Sequence, residues 1–135
     1  MKQNFWAAAA AAMALGLGLD LLLFQVLLGG TFGVEPNLHP PLAGAWPKIV
    51  AASLLFGWAF TWVYAQGIGD GPWLGQGLRF GSVVGVLTHG ALGLTAATML
   101  DHETETIVVG GIAGGILRDI IVGVVVAYMM RPARN

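Results

Sequence analysis

Apolar residues fall into four long stretches along the chain, separated by short polar segments rich in glycine, proline or acids. They cover residues of about 5–28, 48–64, 74–99 and 107–130. A helix crossing a bilayer needs about 20 apolar residues, within a range of ~17–25. The first, third and fourth stretches meet this easily. The second spans roughly 25 Å once Lys48 is counted, which suffices if that side chain snorkels outward. No stretch alternates between polar and apolar residues, and all are too long for the strands of a membrane barrel. Backbone groups must be paired internally in hydrocarbon. The pattern therefore predicts an all-α, membrane-embedded four-helix bundle, with residues 1–135 forming a single transmembrane domain.

Composition agrees. Only 10% of the 135 residues are charged, against about 25% in an ordinary soluble domain. Hydrophobic residues make up 56%, and the mean hydropathy is +0.76. A net charge of −1 leaves no basic stripe for phosphates, so a nucleic-acid partner is excluded. Membrane lipids are the expected surroundings. The absence of cysteine excludes disulfides, thiolate metal sites and cysteine nucleophiles. Met1-Lys2 ahead of an alanine run resembles the start of a signal peptide, but the apolar run exceeds the ~7–15 residues of a secretory core. A retained first helix is expected.

Placement of the cations sets the expected orientation. With the N-terminus inside, Lys2, Arg79, Arg131 and Arg134 lie on the inner side, and only Lys48 lies outside. Both termini are then cytoplasmic. Phe5, Trp6, Trp62, Tyr64, Trp73 and Tyr128 would form the inner aromatic belt, with Phe32 and Trp46 at the outer interface.

The connections carry turn chemistry. Residues 29–47 hold Pro36, Pro40, Pro41 and Pro47, which argue against helix and for a stiff extended segment. In residues 65–73, Asp70 is placed to cap the next helix and Pro72 to occupy its first turn. The third connection, near Asp101 to Thr106, is short and acidic.

Glycine, at 21 residues, is the second compositional excess. In lipid, helices associate by close packing, and small residues let their backbones approach. Gly77, Gly81, Gly85 and Gly93 recur at steps of four or eight, with His89 in the missing step. Gly110-Gly111 and Gly114-Gly115 give two overlapping pairs in the fourth helix, and Gly16 and Gly18 mark the first. Gly77, Gly81, Gly85, Gly111, Gly114 and Gly115 are the expected packing residues, in the manner of a glycine zipper. The same motif serves packing within the bundle and a homo-oligomer seam.

Ionisable residues inside a membrane are costly, at roughly 2.5–3.5 kcal/mol each on insertion scales. Asp20, His89, Arg118 and Asp119 are such residues. At ~1.5 Å per residue they lie about 22, 21, 18 and 16 Å from the inner end, within about one helical turn of each other in height. Asp20, His89 and Arg118 each share a helix side with glycine, whereas Asp119 is rotated about 100° from Arg118. Two roles fit the cluster. One is a buried Asp20–Arg118 ion pair with a hydrogen-bonded His89. The other is a proton or ion path using His89 and a carboxylate. Arg79 sits near the inner end and is expected to snorkel.

Other chemistry finds little support. Asp101, His102, Glu103 and Glu105, with His39 or Glu35, match no metal-binding spacing, and acids at a helix start also suit its macrodipole. Haem ligation lacks a second membrane histidine. Ser53 and Ser82 have no activating context. No metal, cofactor or enzymatic activity is expected.

Residues 64–85, YAQGIGDGPWLGQGLRFGSVVG, resemble a family of small uncharacterised bacterial four-helix integral membrane proteins. The match rests on Tyr64, Gly67, Gly77, Leu78, Arg79, Phe80 and Gly81, about a sixth of the chain. Residues 123–131 are similar more weakly. The resemblance implies a bacterial inner-membrane location and a four-helix topology. The expected function is that of a small structural or accessory inner-membrane protein, acting as a homo-oligomer or beside a membrane-protein partner. The alternative is a proton- or ion-coupled small transporter or channel built on Asp20, His89, Arg118 and Asp119.

Overall fold

The computed structural model describes residues 2–23, 42–98 and 102–131. These are helical almost throughout. Helix α1 covers Lys2–Leu21 and α2 covers Leu42–Gln66. Helix α3, Trp73–Gly85, passes into a π-helical turn at Val86–Ala91 and then into α4, Leu92–Ala97. Helix α5 covers His102–Met130. Among the described residues, three segments are long and apolar enough to cross a membrane: Asn4–Leu21, Trp46–Gln66 and Val108–Met130. The remaining apolar stretch follows a helical path from Trp73 to Ala97, but its first α-helical part is only 13 residues long.

Helix α5 begins at His102, so most of the segment expected as the third connection, near Asp101 to Thr106, is helical instead. Two further features differ from the sequence expectation. Pro47 lies inside α2 instead of in the preceding connection. It comes early in that helix and is exposed, so its missing N–H removes a bond only to the carbonyl of Ala43, near the helix start. Membrane helices accept this more readily than soluble ones. The third helix is not uniformly α. Its π turn falls where His89 interrupts the glycine series, and such turns recur at functional sites. Residues 24–41, which include Pro36, Pro40 and Pro41, lie outside the described residues.

The described helices pack as a bundle centred on α5. Helix α1 packs against α2 and α5, and α5 packs along α3, the π turn and α4. Helices α2 and α3 meet through Phe60, Tyr64 and Phe80, whose rings pack edge-on at 4.9 and 5.3 Å. Sequential neighbours run antiparallel. Gly77, Gly81 and Gly85 of α3 face Val124, Ile120 and Ile116 of α5, in descending order. Ala8, Ala12, Phe60, Tyr64, Val122, Val126 and Ala127 fill the buried core.

Glycine sets the helix spacing. A Cβ on Gly77 would lie 2.9 Å from Cα of Val124, and one on Gly85 would lie 2.9 Å from Cα of Ile116. One on Gly81 would fall against the Asp119 carbonyl and 2.6 Å from Cα of Ile120. Gly123 returns the contact, since its Cβ would lie 2.6 Å from the Gly77 carbonyl oxygen. Backbone therefore rests on backbone along the α3–α5 seam, leaving no side chain that could rotate away. Gly57 does the same for α2 against α1, where its Cβ would lie 2.6 Å from the Ala9 carbonyl oxygen. Gly18 meets nothing within 4 Å. Gly57, Gly77, Gly81, Gly85 and Gly123 thus serve packing within the bundle.

At one end of the bundle, Asn4, the 68–73 turn and the last turn of α5 surround an open recess of about 1140 Å³. Trp73 packs edge-on against Tyr128, and the Arg131 guanidinium lies 4.0 Å over the Tyr128 ring. The turn before α3 is not held by Asp70, which is exposed and makes no cap, and Pro72 occupies the cap position itself. Gln76 takes that role by reaching back. Its Oε1 accepts from the Gly69 N–H at 3.0 Å, and its Nε2 donates to the carbonyls of Gly69 and Gly71 at 2.8 and 2.6 Å. One amide satisfies three backbone groups here, two of them carbonyls to which an aspartate carboxylate has no proton to donate.

Candidate functional site

The mid-height cluster is built by α1, the π turn and α5. Arg118 is its hub. Its Nη2 donates to Oδ2 of Asp20 on α1 at 2.9 Å, and its Nη1 donates to Oδ1 of the adjacent Asp119 at 2.6 Å. Consecutive residues on a helix point about 100° apart. The arginine stem is long enough to turn one arm of its fork back across that angle while the other crosses to α1. The guanidinium also lies 3.9 Å over the Phe56 ring of α2, a cation–π contact in a desolvated setting. Arg118 therefore touches α1, α2 and its own neighbour at once.

Gly16 makes room for this. A Cβ there would lie 2.7 Å from Nη2 of Arg118, so any larger residue would displace the arm that reaches Asp20. On the other side, Asp119 faces the π turn. Its Oδ2 lies 3.0 Å from the Thr88 hydroxyl and 3.5 Å from Nε2 of His89. Thr88 Oγ1 also lies 2.8 Å from the Val84 carbonyl oxygen. The His89 ring lies against Gly115, which presents no side chain to block it.

The result is a continuous polar path: Asp20, Arg118, Asp119, then Thr88 and His89. Its middle is sealed. The Arg118 side chain is 8% exposed and that of Asp119 is fully buried. Its ends are not, since the Asp20 side chain is 34% exposed and that of His89 is 26% exposed. Nε of Arg118 is buried and has no hydrogen-bond partner within the chain.

All four residues singled out in the sequence thus lie together. Arg118 and Asp119 do face different neighbours, as their rotation implies, yet they also pair with each other. Thr88 and Phe56 belong to the site and were not recognised from the sequence. Thr88 precedes His89 directly and could have been noticed. Phe56 is one aromatic among several and carries no local signal. Of the glycines, Gly115 and Gly16 shape the cluster directly. Gly114 faces Leu23, and Gly111 is half-buried on α5.

Among the described residues, no group of three or more His, Asp or Glu side chains is arranged to hold a metal. Arg118 occupies the position between the two aspartates that a cation would need. Glu35, His39 and Asp101, with the side chains of His102, Glu103 and Glu105, lie outside the described residues. The hydroxyl of Ser53 donates to the Ile49 carbonyl at 2.9 Å, a back-bond along its own helix.

No protein-family model, curated protein or solved structure matches the chain.

Proposed function

We propose that this chain is a small structural or accessory protein of the bacterial inner membrane. Both termini lie in the cytoplasm, and the glycine-packed bundle acts as a rigid unit beside a second copy or another membrane protein. The observation that carries this reading is the direct contact at the centre. Arg118 bonds directly to Asp20 and Asp119, which pairs its charge and ties α1 to α5. A buried arginine in a membrane core requires carboxylate partners of this kind. The large apolar side chains of Leu54, Leu55, Trp58, Val83, Leu87 and Leu94 are exposed on the outside of the bundle, as lipid or a partner helix would demand. The resemblance of residues 64–85 to a four-helix bacterial family fits the same location.

A second reading is a proton- or ion-coupled transporter or channel. It is favoured by the partly exposed ends of the polar path, Asp20 and His89, on either side of a sealed centre. Reconstitution separates the two. Proteoliposomes carrying the full chain and a trapped pH-sensitive dye are given a pH gradient and, separately, sodium and potassium gradients. The structural reading expects the leak of empty vesicles in every case. A protein-dependent flux that His89→Ala abolishes in a still-folded bundle overturns it.

A further inference from the structure

We propose that the recess at the Arg131 end of the bundle binds the headgroup of a phospholipid that carries a primary ammonium. The phosphate sits on Arg131 and the ammonium on Asp70. The inference rests on the reading of the chain as a membrane protein and adds to it a ligand of stated chemistry. Three observations lead to it. The first is space. Asn4 of α1, Tyr64 of α2, Gln76 of α3 and the last turn of α5 surround about 1140 Å³ together with the 68–73 turn, as much as the ~300–1,000 Å³ of ordinary ligand pockets. The four helices that make the bundle all contribute to it.

The second observation is charge. Among the lining residues Arg131 supplies a guanidinium and Asp70 a carboxylate, beside apolar surface from Ile68, Met129 and Met130. Both charged residues are exposed. A guanidinium fork matches two phosphate oxygens, and a carboxylate accepts N–H bonds from an ammonium. One charge of each sign complements a zwitterion. Phosphatidylglycerol brings the phosphate but no cation for Asp70. Phosphatidylcholine brings a cation that has no N–H to donate. Phosphatidylethanolamine supplies both partners. The third observation is support and setting. The Arg131 guanidinium lies 4.0 Å over the Tyr128 ring, which Trp73 meets edge-on at 5.4 Å. The turn that carries Asp70 is pinned by the three bonds of Gln76. Such support lowers the ordering cost of binding. Trp73 and Tyr128 are of the residue types that settle at headgroup level, and exposed Leu74 beside Trp73 offers apolar surface to an acyl chain.

The full chain is reconstituted in vesicles of equal parts phosphatidylethanolamine, phosphatidylglycerol and phosphatidylcholine. It is then extracted in mild detergent, and its retained lipids are counted by native mass spectrometry. The expected result is a preference for phosphatidylethanolamine over each of the others of about fivefold, the factor an exposed charge pair supplies at most. Arg131→Gln should remove that preference. Asp70→Asn should weaken it and raise retention of phosphatidylglycerol, whose unpaired phosphate the carboxylate no longer repels. Arg79→Gln, at an exposed arginine outside the recess lining, should leave the preference as it is. All three side chains are exposed, so the fold is kept, which circular dichroism checks. Equal retention of the three lipids, no retained lipid, a preference unchanged in both Arg131→Gln and Asp70→Asn, or one lost equally in Arg79→Gln overturns the proposal. Vesicle flotation reads insertion separately. A chain that does not float with the vesicles overturns the membrane reading, and this proposal with it.

Discussion

Substituting Gly81 with alanine isolates the contribution of backbone contact to this bundle. The added Cβ would sit against the Asp119 carbonyl and 2.6 Å from Cα of Ile120. Ordinary contact begins at about 3.4 Å, so α3 must retreat from α5 by about 0.8 Å or more. Both atoms met are backbone, so no rotamer change relieves the clash. A gap of ~0.5–1 Å forfeits a quarter to a half of each van der Waals contact along the seam, and overpacking of this kind costs ~1–3 kcal/mol. Alanine returns up to ~1 kcal/mol through helix propensity. The net expectation is a loss of ~0–2 kcal/mol. Gly18→Ala is the matched control. Its Cβ meets nothing within 4 Å, so it gains the propensity term without the clash. Unfolding by sodium dodecyl sulfate in mixed micelles, followed by circular dichroism, reads both. The propensity gain is common to both, so the two variants should differ by the clash alone, about 1–3 kcal/mol, with Gly81→Ala the less stable. A Gly81→Ala protein as stable as Gly18→Ala would refute the packing argument.

Other expectations follow from the cluster and the turn. Arg118→Met leaves two carboxylates uncompensated and should cost ~3–5 kcal/mol, whereas Arg118→Lys keeps the charge but not the fork and should fall between it and the wild type in the same unfolding assay. Exchanging partners, Asp20→Arg with Arg118→Asp, should recover only part of the stability lost in either single variant, because Arg118 also serves Asp119. Full recovery would mean that the Arg118–Asp119 contact contributes nothing. Gln76→Ala removes three hydrogen bonds from the 67–72 turn. Its cost should be about 1 kcal/mol, since the turn is exposed, and faster cleavage there by an added protease would reveal it.

The helical content and the mid-height meeting of Asp20, His89, Arg118 and Asp119 were legible because both depend on periodicity and length, which the sequence carries directly. A rise per residue converts position into depth, and glycine marks the side on which a neighbour comes close. The failures arise where one side chain makes several contacts. Pro47 argues locally for a loop, but its cost depends on which carbonyl loses a partner, and near the start of α2 that cost is small. Asp70 has the capping chemistry, yet Gln76, farther along the chain, has the reach. The Arg118–Asp119 bond runs against simple helical geometry and forms because the arginine stem is flexible. The π turn at Val86–Ala91 has no sequence signature beyond His89 in place of a glycine.

The claim at the centre is that Asp20 and Arg118 hold α1 to α5 through a direct bond. A double-mutant cycle with Asp20→Asn and Arg118→Gln, read by unfolding in mixed micelles, measures that bond. The 2.9 Å contact predicts a coupling of at least ~1 kcal/mol, within the ~0.5–3 kcal/mol found for residues in contact. Single-variant costs that add to within ~0.5 kcal/mol would contradict it.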